Sequence, residues 1–220
     1  MAIPLSALAA AGLVFVVASA LAQTADIPKD LRRVAPAVPL KAEPFDLRDV
    51  SLLDGPFRRA QELDRKYLLS LPPDRLLHCF RVTAGLPSAA KPLGGWEAPG
   101  CEVRGHFVGH YLTACALMVR ATGDEQLKKN ADAVVAGFAE CQAKFPSGYL
   151  SAYPEELIDR VIAGKGVWAP WYTLHKIYAG LLDMYLLTGN PQALDVLKKA
   201  AAWIDSRVGP LSDVQAQRML

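Results

Sequence analysis

The sequence predicts an all-α protein of stacked helical hairpins that close towards a toroid of paired helices. Three observations carry that prediction. The stretch MVRATGDEQLKKNADAVVAGF from Met118 can be laid on MYLLTGNPQALDVLKKAAAWI from Met184, a shift of 66 residues. Each copy reads as a helix, a Thr-Gly stop, a capping Asp124 or Asn190 and a second helix, which is the pattern of stacked hairpins. Between the copies lies an insertion rich in Gly, Pro and aromatics, residues 146–169, and long inserts on one face suit a ring with a built site better than an open solenoid.

With 220 residues, 52% apolar and 21% charged, the chain is long enough for one domain with a sizeable core. Its net charge is +2, and Lys and Arg are spread along it. That excludes the electrostatic footprint of a nucleic-acid binder and a basic amphipathic membrane helix. Neutral partners are expected.

Residues 1–22 hold no charged side chain and end in Ala20-Leu21-Ala22, an A-x-A cleavage site. They read as a signal peptide, giving a secreted or periplasmic product that is free of the membrane after cleavage. An uncleaved anchor is the alternative. Residues 23–44, rich in Pro and Ala, form an extended lead-in, and residues 45–220 hold the helical domain.

Phe45 to Leu52 alternates apolar and polar side chains, so a short strand or extended edge is expected there. Asp54-Gly55-Pro56 makes a turn into a helix with Phe57, Ala60, Leu63, Tyr67 and Leu68 on one stripe, stopped before Pro72-Pro73. Leu76 to Phe80 reads as a short apolar turn, and residues 84–100 as an ordered irregular loop lining something. Only about two and a half hairpins follow, and residues 211–220 resemble the opening of another helix. The chain is therefore expected to be the front part of a larger ring, whose uncovered apolar faces would promote self-association.

The organising stretch is GGWEAPGCEVRGHFVGHY, residues 94–111. On a helix, Glu102, His106 and His110 fall in one row, which is either a polar seam in a bundle or the wall of a site. Gly105 and Gly109 strip the neighbouring face so that a ligand or a helix can come close. The H-x-x-x-H spacing permits a metal, but Glu102 and His110 lie roughly 12 Å apart along the axis and no metal site is assigned. In VWAPWYTLHK, His175 stands among Trp168, Trp171 and Tyr172. Imidazoles among aromatic rings suit a sugar, with rings stacking on C–H faces and polar tips fixing hydroxyls; an aromatic core stripe is the alternative. Glu97, Glu102, Glu155 and Glu156 lie beside these loops, and no spacing singles out a catalytic pair.

Four cysteines, Cys79, Cys101, Cys115 and Cys141, permit disulfides in an exported chain. Cys115 and Cys141 are out of register across their hairpin by roughly 15 Å, too far to bridge. Buried free thiols are expected.

The blocks GGWEAPGCEVRGHFVGHYLTA, SGYLSAYPEE and VWAPWYTLHKIYAGLLDMY, in this order, resemble the front of the beta-L-arabinofuranosidase family, glycoside hydrolase family 127, from about residue 45 to 204. The resemblance implies an (alpha/alpha)6 barrel, followed in full-length members by β domains, and an arabinose-containing oligosaccharide of plant cell walls as substrate. It also implies a cysteine nucleophile on a zinc site of one glutamate and three cysteines, with a glutamate as acid/base. Those motifs belong to the later part of the family's barrel, so no catalytic residue and no metal ligand is expected in this chain. The resemblance carries over substrate lining by His175 and by His106 or His110, and less directly by Trp96, Trp168 and Trp171; with Glu97 and Tyr172 from the neighbouring loops, these are the expected substrate-binding residues. A non-catalytic helical-hairpin protein that binds a glycan or a protein is the alternative.

Overall fold

A computed structural model describes residues 38, 41–42 and 44–219, so the expected signal peptide and nearly all of the lead-in lie outside the described residues. The described chain is built from helices, with no strand among the described residues. In order come α1 (Pro56–Leu69), α2 (Pro73–Thr83), α3 (His106–Thr122), α4 (Glu125–Gln142), α5 (Glu156–Ile162), α6 (Pro170–Thr188), α7 (Pro191–Val208) and α8 (Asp213–Gln217). None of these helices is long and apolar enough to cross a membrane.

The two repeat units fold alike. α3 and α6 end on Gly123 and Gly189, both left-handed at φ 70° and 72°, where a Cβ would be strained. The next residue caps the following helix in each case. Asp124 accepts from the Leu127 amide at 2.9 Å, and Asn190 from the Ala193 amide at 3.0 Å. Asn190 also donates to Asp132 of α4 at 2.6 Å, tying the second unit's turn to the first unit's second helix.

α3 and α6 form the most extensive helix contact, with α4 and α7 as their hairpin partners and α2 against α4. The approach of α3 to α6 is made possible by Gly109 and Gly180, so the bare face beside the histidines admits a helix. The main core lies between these layers around Leu112, Cys115, Phe138, Ile177, Leu181 and Met184. A smaller aromatic core of Tyr149, Tyr153, Ile158, Leu174 and Trp203 lies under the insertion. Residues 149–153 of that insertion are therefore interior: Tyr149 donates to the Tyr153 carbonyl at 2.6 Å and Tyr153 to the Pro170 carbonyl at 2.9 Å.

Three local expectations are corrected. The segment expected as a strand or extended edge contains a 3-10 helix, Leu47–Asp49, because Asp46 caps it by accepting from the Arg48 amide. Asp46 also pairs with Arg120 of α3, which ties this segment to the body. Leu76 to Phe80 belongs to α2, since Pro73 sits at the first helical position, where its missing N–H costs nothing. On α1, only Leu68 of the predicted stripe is buried, whereas Phe57, Leu63 and Tyr67 are exposed.

Candidate functional site

The site is built at the N-terminus of α3. Gly105, at φ 102°, turns the chain into the helix, and Val103 just before it is buried. Having no side chain, Gly105 cannot cap the helix. Glu97 does so from a 3-10 helix, Gly95–Glu97, eight and ten residues upstream of its partners. Its carboxylate accepts from the Gly105 amide at 2.7 Å and the Phe107 amide at 2.9 Å. These are two of the free donors at the positive end of a helix.

His106, the first residue of α3, is buried above this carboxylate. Its Nδ1 lies 2.7 Å from Glu97 Oε1 and 3.0 Å from the Val103 carbonyl oxygen. Three rings surround the imidazole, with centroids at 5.8 Å for Tyr172 and 6.1 Å for both Trp96 and His110. Trp168 stands edge-on to Trp96 at 5.5 Å. His110 Nε2 is 3.4 Å from the Tyr172 hydroxyl, and Lys176 Nζ lies 4.9 Å over the Tyr172 ring. Trp96, Glu97 and His106 share a cavity of about 370 Å³ with Tyr67, Leu93 and Phe107.

Burial sets the electrostatics of two of these groups. Burial pushes the Glu97 carboxyl above its ordinary range, against the pull of the Phe107 and Gly105 amides and of His106. Burial lowers the pKa of His110, and the charge of Lys176 lowers it further. At neutral pH His110 is therefore an uncharged imidazole.

Of the residues expected to line a site, Trp96, Glu97, His106, His110, Trp168 and Tyr172 come together. His175 is exposed on α6, near enough for its charge to bear on His110. Trp171 turns the other way and lines a separate apolar pocket with Ile204, Val208 and Ala216. Glu102 leaves the predicted row, because α3 starts only at His106. It accepts instead from the Trp168 amide at 2.8 Å and from Arg160 at 3.5 Å, holding the end of the insertion against the site. Ala169, which follows Trp168, is the only described non-glycine residue with positive φ, at 49°. Neither the Glu102 link nor the Ala169 backbone has a sequence signal. Lys176 has one, being four residues after Tyr172.

The described residues do not fit a zinc–cysteine centre. No group of three or more His, Cys, Asp or Glu among them could share an ion. All four cysteines are free, with Cys115 and Cys141 buried and Cys79 and Cys101 half-buried. Burial pushes the Cys115 and Cys141 thiols up to about 12, far from the thiolate that a metal requires. The Nδ1 of His106 is already engaged. The chemistry of such a centre is therefore not assigned to these side chains.

No curated protein matches the chain. The family model described as "Beta-L-arabinofuranosidase, GH127 catalytic domain" matches residues 49–220, which spans α1 to α8 and the whole cluster around His106. With most of its length under that match and an all-helical fold of paired hairpins beneath it, the chain belongs to the beta-L-arabinofuranosidase family, glycoside hydrolase family 127.

Proposed function

We propose that the cluster of Trp96, His106, His110, Trp168 and Tyr172 is one wall of a pocket for the arabinofuranoside units of plant cell-wall glycans. The observation that carries this reading is the state of His106. Its Nδ1 is held from below by Glu97 and Val103, Nε2 has no partner among the described residues, and three aromatic or imidazole rings stand around the imidazole. A neutral sugar suits such a surface: ring faces for its C–H groups and ring nitrogens for its hydroxyls. The uncharged His110 suits the same ligand.

In this reading the domain is exported, residues 45–220 are the front of the family's barrel, and the wall binds without supplying a nucleophile. The zinc-held thiolate of the family comes from sequence outside these 220 residues. Support comes from the thiols that are present, two of them buried with raised pKa and none grouped with other ligands.

The test is titration of the purified chain with methyl β-L-arabinofuranoside, followed by tryptophan fluorescence, beside hydrolysis of p-nitrophenyl β-L-arabinofuranoside with zinc and reductant. Expected is saturable binding, weakened at least tenfold by His106→Ala, and no turnover. Absence of binding by the folded chain retires the pocket. Turnover that His106→Ala abolishes retires the division between binding wall and external nucleophile.

A further inference from the structure

We infer that Glu97 is a positioning residue that fixes the tautomer of His106, so that Nε2 of the neutral ring is the acceptor and the pocket selects a hydroxyl donor at that point. The inference rests on the reading of this cluster as sugar-lining and adds to it the basis of selection.

The tautomer follows from the neighbours of Nδ1. The Val103 oxygen, 3.0 Å away, is a carbonyl and only accepts; it also takes the Thr173 hydroxyl at 3.1 Å. Glu97 Oε1, at 2.7 Å, is accepting the Phe107 amide. A lone pair on Nδ1 would face two acceptors, so Nδ1 carries the proton and Nε2 carries the lone pair in the neutral ring. Glu97 cannot swing away without releasing the Gly105 and Phe107 amides, and the same two bonds that start α3 therefore hold the imidazole in place. Glutamine does not substitute for it. Three N–H groups converge on the carboxylate, and a carboxamide would set its own N–H₂ against at least one of them.

An acceptor at Nε2 selects by hydrogen-bond polarity. A sugar hydroxyl donates to it, whereas a ring oxygen or a fluorine at the same place presents only lone pairs. Sites built to pair a substrate hydroxyl discriminate strongly against analogues that lack it.

The experiment is a long-range ¹H–¹⁵N correlation on the ¹⁵N-histidine-labelled chain, with the four histidines assigned by single substitution. Expected for His106 is the Nδ1–H tautomer in the wild type. In Glu97→Gln both nitrogen shifts move towards the averaged values of a mixture, and methyl β-L-arabinofuranoside binds about tenfold more weakly. A wild-type His106 protonated at Nε2 overturns the inference, and so do unchanged nitrogen shifts in the variant. If Glu97→Gln does not fold, the wild-type spectrum decides by itself. A wild type with the Nδ1–H tautomer and the Glu97-dependent shift that binds no sugar retires the pocket reading and leaves the Glu97–His106 coupling standing.

Discussion

A Cβ placed on Gly180 would stand 2.4 Å from the carbonyl oxygen of Gly109, so α3 and α6 meet backbone to backbone where they cross. On Gly109 the same atom would stand 2.1 Å from the Lys176 carbonyl oxygen. His110 follows Gly109 on α3, and its partner Tyr172 lies one turn before Lys176 on α6. The closeness of the helices thus sets the width of the site.

Gly109→Ala and Gly180→Ala each force backbone apart, which no rotamer change relieves. Each is expected to destabilise the fold by about 3 kcal/mol, the upper end of overpacking costs. Urea unfolding measures it as a lower midpoint at unchanged slope. A loss under about 0.5 kcal/mol would show that the helices part freely.

His110 is expected to titrate below the ordinary 6.5 in a histidine NMR titration. Burial is the first cause and the Lys176 charge the second, so Lys176→Gln should move the midpoint up but not restore it fully. The sign for stability follows from linkage. The unfolded chain takes up this proton at higher pH than the folded one, so the contribution is whole above 6.5 and is lost as pH falls through the folded value. Sugar binding should weaken over the same acid interval, as the imidazole nitrogen ceases to accept. A midpoint at or above 6.5 would contradict this.

Asp124 caps α4 and pairs with Arg65 of α1, with its side chain 7% exposed. Burial works against its charge, but the Leu127 amide and Arg65 outweigh it and hold the carboxyl below its ordinary range. Asp124→Ala should cost about 2 kcal/mol, the high end for a cap, because Arg65 loses its partner too. Asp124→Asn should retain the cap and lose less than half of that. Denaturant midpoints of the two variants decide the order.

Glu102→Gln keeps an acceptor for the Trp168 amide, and Glu102→Ala removes it. The bond lies at the surface, so neither variant should move stability by more than about 0.5 kcal/mol. Sugar affinity should fall several-fold for the alanine variant alone, because Trp168 loses its fixed place against Trp96. Equal affinity in both would show that Trp168 is held by other contacts.

What the sequence makes legible is local. The Thr-Gly stops at Thr122-Gly123 and Thr188-Gly189, with their caps Asp124 and Asn190, act on the next turn of chain and are visible as a repeat. α2 is hidden in the pattern because Pro72-Pro73 closes one helix and opens another, and the closing signal masks the opening one. Spacing alone also misplaces Glu102: Gly105 at φ 102° delays the start of α3, which turns a row of three into a pair and a latch. The work of Glu97 is beyond reach for another reason. Its partners lie eight and ten residues away across an irregular loop, and no periodicity relates them.

The insertion between the units has two halves of different tolerance. Around Tyr149 and Tyr153 it is packed against Trp203 of α7 and ends in hydroxyls tied to backbone, so substitution there reaches the centre of the second unit. Residues 163–166, by contrast, are exposed and stand just before Trp168. A library of substitutions and length changes confined to those four positions would redraw the mouth of the site while leaving both hairpins untouched, which makes this short rim the natural place to retune what the pocket admits.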